Sequence, residues 1–202
     1  MDSVTLHLGL RALMTALWVV WGLYWLVSAQ NTKTTQRRES SSSRIFYSVL
    51  LLSGASLMAV PRVRLGWLAT PLLPDAPLRF RLALALLAAG LAFTVWARLH
   101  LGRNWSGTVT LKEGHELIRT GPYGLVRHPI YTGLLLAFTG TALACGDPAA
   151  VIGLALVLAS FLYKLRIEEG FMRAMFPGQY ASYAAEVPAL VPFTKARRSA
   201  PR

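Results

Sequence analysis

The polar residues able to do chemistry are concentrated between Leu101 and Phe193. His115-Glu116-Leu117-Ile118 is followed by Gly121-Pro122-Tyr123-Gly124 and by Arg127-His128-Pro129. Two adjacent carboxylates, Glu168 and Glu169, come later, with Tyr180 and Tyr183 beyond them. The glycines and proline of the 121–124 run force a turn and let backbone approach a ligand closely. Pro129 suits the first position of a helix. Arg127 and His128 then stand at that helix's mouth, where free backbone N–H groups and the helix dipole favour an anion. Glu168 and Glu169 follow a long apolar run, and charges beside hydrocarbon usually have a function. Tyr180 and Tyr183, three apart, share a face of a short terminal helix.

Each of these residues also has a plainer reading. Arg127 and His128 could cap a membrane span and anchor it at headgroups. Glu169 is expected to pair with Lys164, Arg166 or Arg173 along a helix, whereas Glu168 is expected to meet a ligand. Trp105, Tyr180, Tyr183 and His100 read as interfacial residues, and Arg173 and Arg197-Arg198 as lipid-facing charge. The single cysteine, Cys145, lies in an apolar stretch, has no disulfide or metal-ligand partner, and reads as a small buried residue.

The elements that must hold these residues are membrane helices. Hydrophobic residues make up 54% of the 202-residue chain and charged residues only 15%, too few to cover a soluble fold. Five apolar segments are expected to be helical: Gly9–Ala29, Ile45–Val60, Leu78–Leu99, Pro129–Ala144 and Pro148–Tyr163. A span needs roughly 20 apolar residues and at least about 17, so the second, fourth and fifth are short without their flanks. Cys145-Gly146-Asp147-Pro148 predicts a tight turn joining the last two. The last helix is expected to continue to Phe176 and stop at Pro177-Gly178. Val109-Thr110-Leu111 predicts a short extended piece, and Ser40–Ser43 a flexible connector. The first segment lacks a basic n-region, which favours a retained helix over a cleaved leader. The chain reads as one membrane domain: scaffold spans to residue 100, a motif region over 101–193, and a basic tail over 194–202.

Lys and Arg outnumber Asp and Glu by 21 to 9. Most of the positive charge falls in 30–44, 98–127 and the segment from Lys164 onward. With five crossings these regions share one side, which the positive-inside rule makes cytoplasmic, leaving the N-terminus outside. The arginines at 62, 64, 79 and 81 run against this rule. Basic clusters between apolar runs point to anionic lipid rather than nucleic acid.

The run from His115 to Gly133, with its Gly-Pro-Tyr and Arg-His-Pro-Ile-Tyr-Thr-Gly pieces, joins Glu168-Glu169 and Phe176-Pro-Gly-Gln-Tyr180 in a pattern that resembles the isoprenylcysteine carboxyl methyltransferase family. The related phospholipid methyltransferases share it. The resemblance covers Leu101–Phe193. It implies an all-α integral membrane fold of about five transmembrane helices, with S-adenosyl-L-methionine in a cytoplasmic pocket closed by the C-terminal helical segment. It maps cofactor contacts onto His115, Leu117, Ile118, Tyr123, His128, Pro129, Ile130, Tyr131 and Glu168. It also places a basic substrate-carboxylate residue one turn before Glu168. Here that residue is Lys164, with Arg166 nearby, and Lys is the weaker bidentate partner for a carboxylate.

Such a cofactor fits these residue types. Aromatic faces at Tyr123 and Tyr131 could meet its sulfonium, His128 and the helix mouth its carboxylate, and Glu168 its ribose hydroxyls. With no triad and no metal cluster, transfer is expected to be direct, the protein mainly aligning the partners. A carboxylate acceptor needs no base, whereas a thiol or amine does. The expected substrate is an isoprenylcysteine-like or other lipidic carboxylate, a lipophilic molecule or lipidated protein reached from the bilayer. A phospholipid amine or a small thiol is the alternative. The compact chain reads as a prokaryotic inner-membrane protein. A membrane reductase would need more spans, and a non-enzymatic scaffold or pore would not gather polar motifs at one face.

Overall fold

The computed structural model describes residues 3–30, 35–38, 40–60, 65–102, 110–112 and 117–194. Helix α1 spans Ser3–Ser28, α2 Ser41–Ala59, α3 Pro77–Leu101, α4 Pro122–Leu125, α5 Pro129–Cys145, α6 Pro148–Met175 and α7 Gln179–Glu186, with a 3-10 turn at Gly66–Ala69. Among the described residues, α1, α2, α3 and α6 are long and apolar enough to cross a membrane. Helix α5 is apolar but has 17 residues, the lower limit for a span. The five apolar segments are thus all helices, and the chain is an integral membrane protein of helical architecture.

Local chemistry sets the boundaries. Prolines stand at the first positions of α3, α5 and α6, where a missing N–H costs nothing. Asp147 caps α6 by accepting from the Ala150 N–H at 2.9 Å, and Gly146 takes the left-handed conformation (φ 67°) that closes the predicted turn. The Ser40–Ser43 run is not a loose connector. Ser40 is the N-cap of α2, its hydroxyl accepting from the Ser43 N–H, as serine at this position commonly does. Helix α6 has 28 residues and is about 42 Å long at 1.5 Å per residue. That exceeds a hydrocarbon core of ~30 Å, so the end of α6 carrying Lys164–Arg173 emerges from the apolar layer.

The bundle is assembled through glycine contacts. Helices α3 and α5 approach through Gly90, Gly133 and Gly140, and α2 and α6 through Gly54 and Gly153. Small residues let backbones pack closely where the surrounding lipid provides no hydrophobic drive. A Cβ on Gly133 would lie 2.6 Å from the Gly90 carbonyl oxygen and 2.7 Å from the Thr94 methyl. Gly133→Val is therefore expected to cost at least about 1–3 kcal/mol, read as a lowered Tm in detergent. An unchanged Tm would mean that this crossing is not tight.

At the bundle end away from the motif residues, Arg79 is bonded to Asp75 at 3.2 Å and to the Leu73 carbonyl at 2.9 Å, and Arg11 and Arg79 both lie over the Phe80 ring. One of the arginines that run against the charge rule, Arg79, is thus engaged within the protein. At the opposite end, strand β1 (Thr35–Arg38) pairs antiparallel with β2 (Thr110–Lys112), with an irregularity between Thr35 and Arg37. The extended piece expected around Thr110 is β2. It ties the α1–α2 connection to the segment leading into the motif region.

Candidate active site

The motif residues converge where the N-terminal end of α5 meets the far end of α6. Pro129 starts α5 with His128 as its N-cap. Glu168 and Glu169 face this point from α6. The His128 Nδ1 lies 3.4 Å from a Glu168 carboxylate oxygen and the Nε2 3.5 Å from one of Glu169. Burial by itself would push the imidazole pKa down. The two neighbouring carboxylates outweigh it, so the pKa stands above the usual 6.5. The His128 ring therefore lies between two carboxylates of α6 rather than at an open anion site.

Tyr131, one turn into α5, donates its hydroxyl to Glu168 at 2.5 Å. Its ring is near-parallel to those of His128 (centroids 5.6 Å apart) and Phe161 (5.0 Å). Lys164, one turn before Glu168 on α6, has its ammonium 5.7 Å from the Tyr131 ring centroid and 5.2 Å from that of Tyr47 on α2. Arg166 is exposed. Two residues along a helix is a rotation of about 200°, so Lys164 and Arg166 lie on different faces and only Lys164 joins the cluster. The Glu168 side chain keeps 25% exposure, unlike Glu169, and is the accessible carboxylate of the pair.

Arg127 is a buried hub rather than a headgroup anchor. Its guanidinium grips the Glu169 carboxylate, with Nε at 2.9 Å, and donates to the carbonyls of Ala184 (3.1 Å) and Val187 (2.5 Å). Glu169 also pairs with Arg173 at 2.8 Å, one of the partners expected from the helical spacing. Arg173 is thus tied down and lies over the Tyr180 ring, although its side chain remains half-exposed.

The C-terminal segment straps across the mouth of α5. The Arg127 and His128 N–H groups donate to Pro188 and Ala189 carbonyls at 2.8 and 3.0 Å, and the Thr132 hydroxyl donates to Leu190 at 2.7 Å. The N–H groups of Arg127 and His128 are thus occupied by the protein itself. Tyr180 and Tyr183 are not interfacial. Each is only 2% exposed, and burial raises both phenol pKa values, that of Tyr183 to about 12. The Tyr183 hydroxyl donates to the Tyr123 carbonyl at 2.6 Å, and Arg119 binds Glu186 at 2.6 Å. Helix α7 is thus fastened to the 119–127 segment.

The remaining expected positions divide. Tyr123 and Pro129 are buried beside the mouth, and Ile130 packs in the cluster around Tyr131, Phe161 and Leu165. Leu117 and Ile118 are half-buried. His115 and Trp105 lie outside the described residues. His100 is not merely interfacial: its ring contacts the turn at Thr120–Tyr123. Cys145 is half-buried, its sulfur 3.5 Å from the Met58 carbonyl. No grouping of three metal-ligating side chains occurs among the described residues.

Comparison with known proteins gives the chain a family. A probable protein-S-isoprenylcysteine O-methyltransferase of Oryza sativa subsp. indica is 35% identical over 111 residues, covering 54% of this chain and 53% of that protein. Protein-S-isoprenylcysteine O-methyltransferase B of Arabidopsis thaliana is 34% identical over 95 residues, covering 46% and 48%. The chain spans about half the length of these curated relatives. The solved structure of a eukaryotic intramembrane Ras methyltransferase, an isoprenylcysteine carboxyl methyltransferase, shares the fold with a TM-score of 0.50 at 23% identity, covering 77% of this chain and 54% of that one. The phospholipid methyltransferase family model matches residues 78–179, which run from the start of α3 through the whole carboxylate cluster. With its motif residues gathered into one cluster at the end of a helical membrane bundle, the chain belongs to the phospholipid methyltransferase family, and its resemblance to the isoprenylcysteine carboxyl methyltransferases is borne out.

Proposed function

We propose that the protein transfers a methyl group from S-adenosylmethionine to the carboxylate of a lipophilic, isoprenylcysteine-like acceptor taken from the bilayer. The cofactor's chemistry is an electrophilic methyl on a sulfonium. This chain's residues bind, orient and exclude water. Glu168 is the accessible acceptor for ribose hydroxyls, held in place by the Tyr131 hydroxyl and by His128. Tyr123, Pro129 and Ile130 wall the mouth, and the 187–190 strap covers it. The fit rests on a partly exposed carboxylate in an otherwise buried polar cluster, the right group for a hydroxyl-rich ligand. Leu117, Ile118 and His115 belong to the same reading as further cofactor contacts.

The observation that carries the acceptor class is the cation beside the cluster. The Lys164 ammonium flanks the cluster from the α2–α6 side, and both ring nitrogens of His128 face carboxylates of α6. A site so built suits an acceptor already ionised at neutral pH. A protonated lipid amine would meet repulsion from Lys164 and would need a base to remove its proton. In the same reading the motif end of the bundle faces the cytoplasm of a prokaryotic inner membrane, and the N-terminus faces outside.

The test is transfer of labelled methyl to a panel of prenylcysteine acids, lipid amines and small thiols, by wild type and by Lys164→Ala. We expect methyl esters from the acids, and a KM for the acid raised roughly 10-fold in Lys164→Ala, about one charged hydrogen bond. Lys164→Arg is expected to retain low KM. Methylation of an amine or thiol but no acid would overturn the carboxylate assignment.

A further inference from the structure

A residue at the end of α3 lies against the 120–123 turn. His100 is the penultimate residue of α3, and its Nε2 lies 2.9 Å from the Thr120 hydroxyl. Its ring lies flat against Gly121: a Cβ at that position would sit 2.7 Å from the imidazole Cε1 and 2.9 Å from both ring nitrogens. Gly121 has φ 58° and ψ −132°, a conformation open to glycine and strained for other residues. The same imidazole is roughly parallel to the Tyr123 ring, with centroids 6.4 Å apart and planes 23° from each other. One side chain therefore contacts three of the four residues Thr120–Tyr123, and contacts them from α3, the helix that packs most extensively on α5. The other fastening of this turn, from the Tyr183 hydroxyl to the Tyr123 carbonyl, comes from the C-terminal side.

We propose that His100 is a positioning residue for the methyl-donor site. It sets the conformation of the Thr120–Tyr123 turn and so the placement of Tyr123 at the mouth, without itself touching either substrate. Gly121 has the positive φ that favours glycine, and the imidazole lies against it. This rests on the assignment of Tyr123 to the donor site and adds to it the element that fixes Tyr123 in place. The scaffold half of the chain thus has a part in donor binding, exerted through the turn from the end of α3.

The test compares S-adenosylhomocysteine affinity by titration, Tm, and steady-state constants for donor and acceptor. The proteins are wild type, His100→Ala, His100→Gln and Gly121→Ala, each purified full-length. Loss of the ring and its hydrogen bond in His100→Ala is expected to weaken donor affinity about 10-fold, with acceptor KM and kcat at saturating donor near wild type. His100→Gln, which can still reach Thr120, is expected to fall between. Gly121→Ala attacks the same contact from the turn and is expected to weaken donor affinity at least as much. Wild-type donor affinity in His100→Ala and Gly121→Ala overturns the proposal while leaving the methyltransferase reading intact. Equal losses in donor affinity, acceptor KM and Tm also overturn it, since they mark a general structural role. Failure of wild type itself to bind is the separate result that removes the reading on which the proposal stands.

Discussion

Arg127→Ala is expected to lower the stability of the whole protein more than any other single change at the motif. The guanidinium neutralises Glu169, whose side chain is 8% exposed, and satisfies two backbone carbonyls from the C-terminal segment. Removing one member of a buried ion pair typically costs about 3–5 kcal/mol, because the partner's charge stays buried. Arg173 still binds Glu169 from its exposed side, so the lower end, roughly 3 kcal/mol, is expected. For a chain of this size that is a fall in Tm of about 6–12 °C. The carbonyls of Ala184 and Val187 lose their donor at the same time, so α7 and the strap should become the first site of limited proteolysis. Arg127→Lys restores charge but not the fork of donors, and is expected to recover only part of the loss. A wild-type Tm and an intact C-terminal segment in Arg127→Ala would mean that the hub bears little weight.

The second large effect is on the methyl donor. Glu168→Ala removes the accessible carboxylate at the mouth together with the acceptor for the Tyr131 hydroxyl. Hydrogen bonds to a charged group are worth about 1.5–3 kcal/mol each, so donor affinity is expected to fall roughly 100-fold. The side chain is partly exposed, and its loss should leave Tm within a few degrees of wild type, the reverse of Arg127→Ala. Glu168→Gln keeps the shape without the charge and is expected to lose about 10-fold. Similar affinities for the three proteins would remove Glu168 from the donor site.

These two residues also show how far the sequence is legible. Apolar run length placed all five long helices, and the proline, glycine and aspartate punctuation placed the turn between α5 and α6, because these signals are local. The spacing of Arg127-His128-Pro129 and Glu168-Glu169 marked the cluster. It set Glu169 apart as an ion-pair residue but did not assign the partners of Arg127 and His128. Arg127 finds its carbonyl partners 57 and 60 residues away, in a segment whose path over α5 has no periodic signature, so a local reading leaves it as a cap. His128 looked like an anion ligand from its place at a helix mouth, but both its nitrogens turn to α6. Tyr180 and Tyr183 were legible as sharing a face. That the face is inward could have been read from the small residues Ala181, Ser182 and Ala184 around them, which leave the two rings as the only bulky anchors of α7. The separation of Arg166 from Lys164 follows from helical rotation alone. The contact between His100 and Gly121 had no sequence signal beyond the glycine itself.

The central claim is that this cluster binds S-adenosylmethionine, and the most direct test is calorimetric titration of S-adenosylmethionine and S-adenosylhomocysteine into purified protein. Wild type should bind both saturably at one site per chain, with binding weakened strongly in Glu168→Ala and His128→Ala while both variants stay folded. Well-folded wild type that binds neither compound, in detergent and again in lipid nanodiscs, would contradict the account.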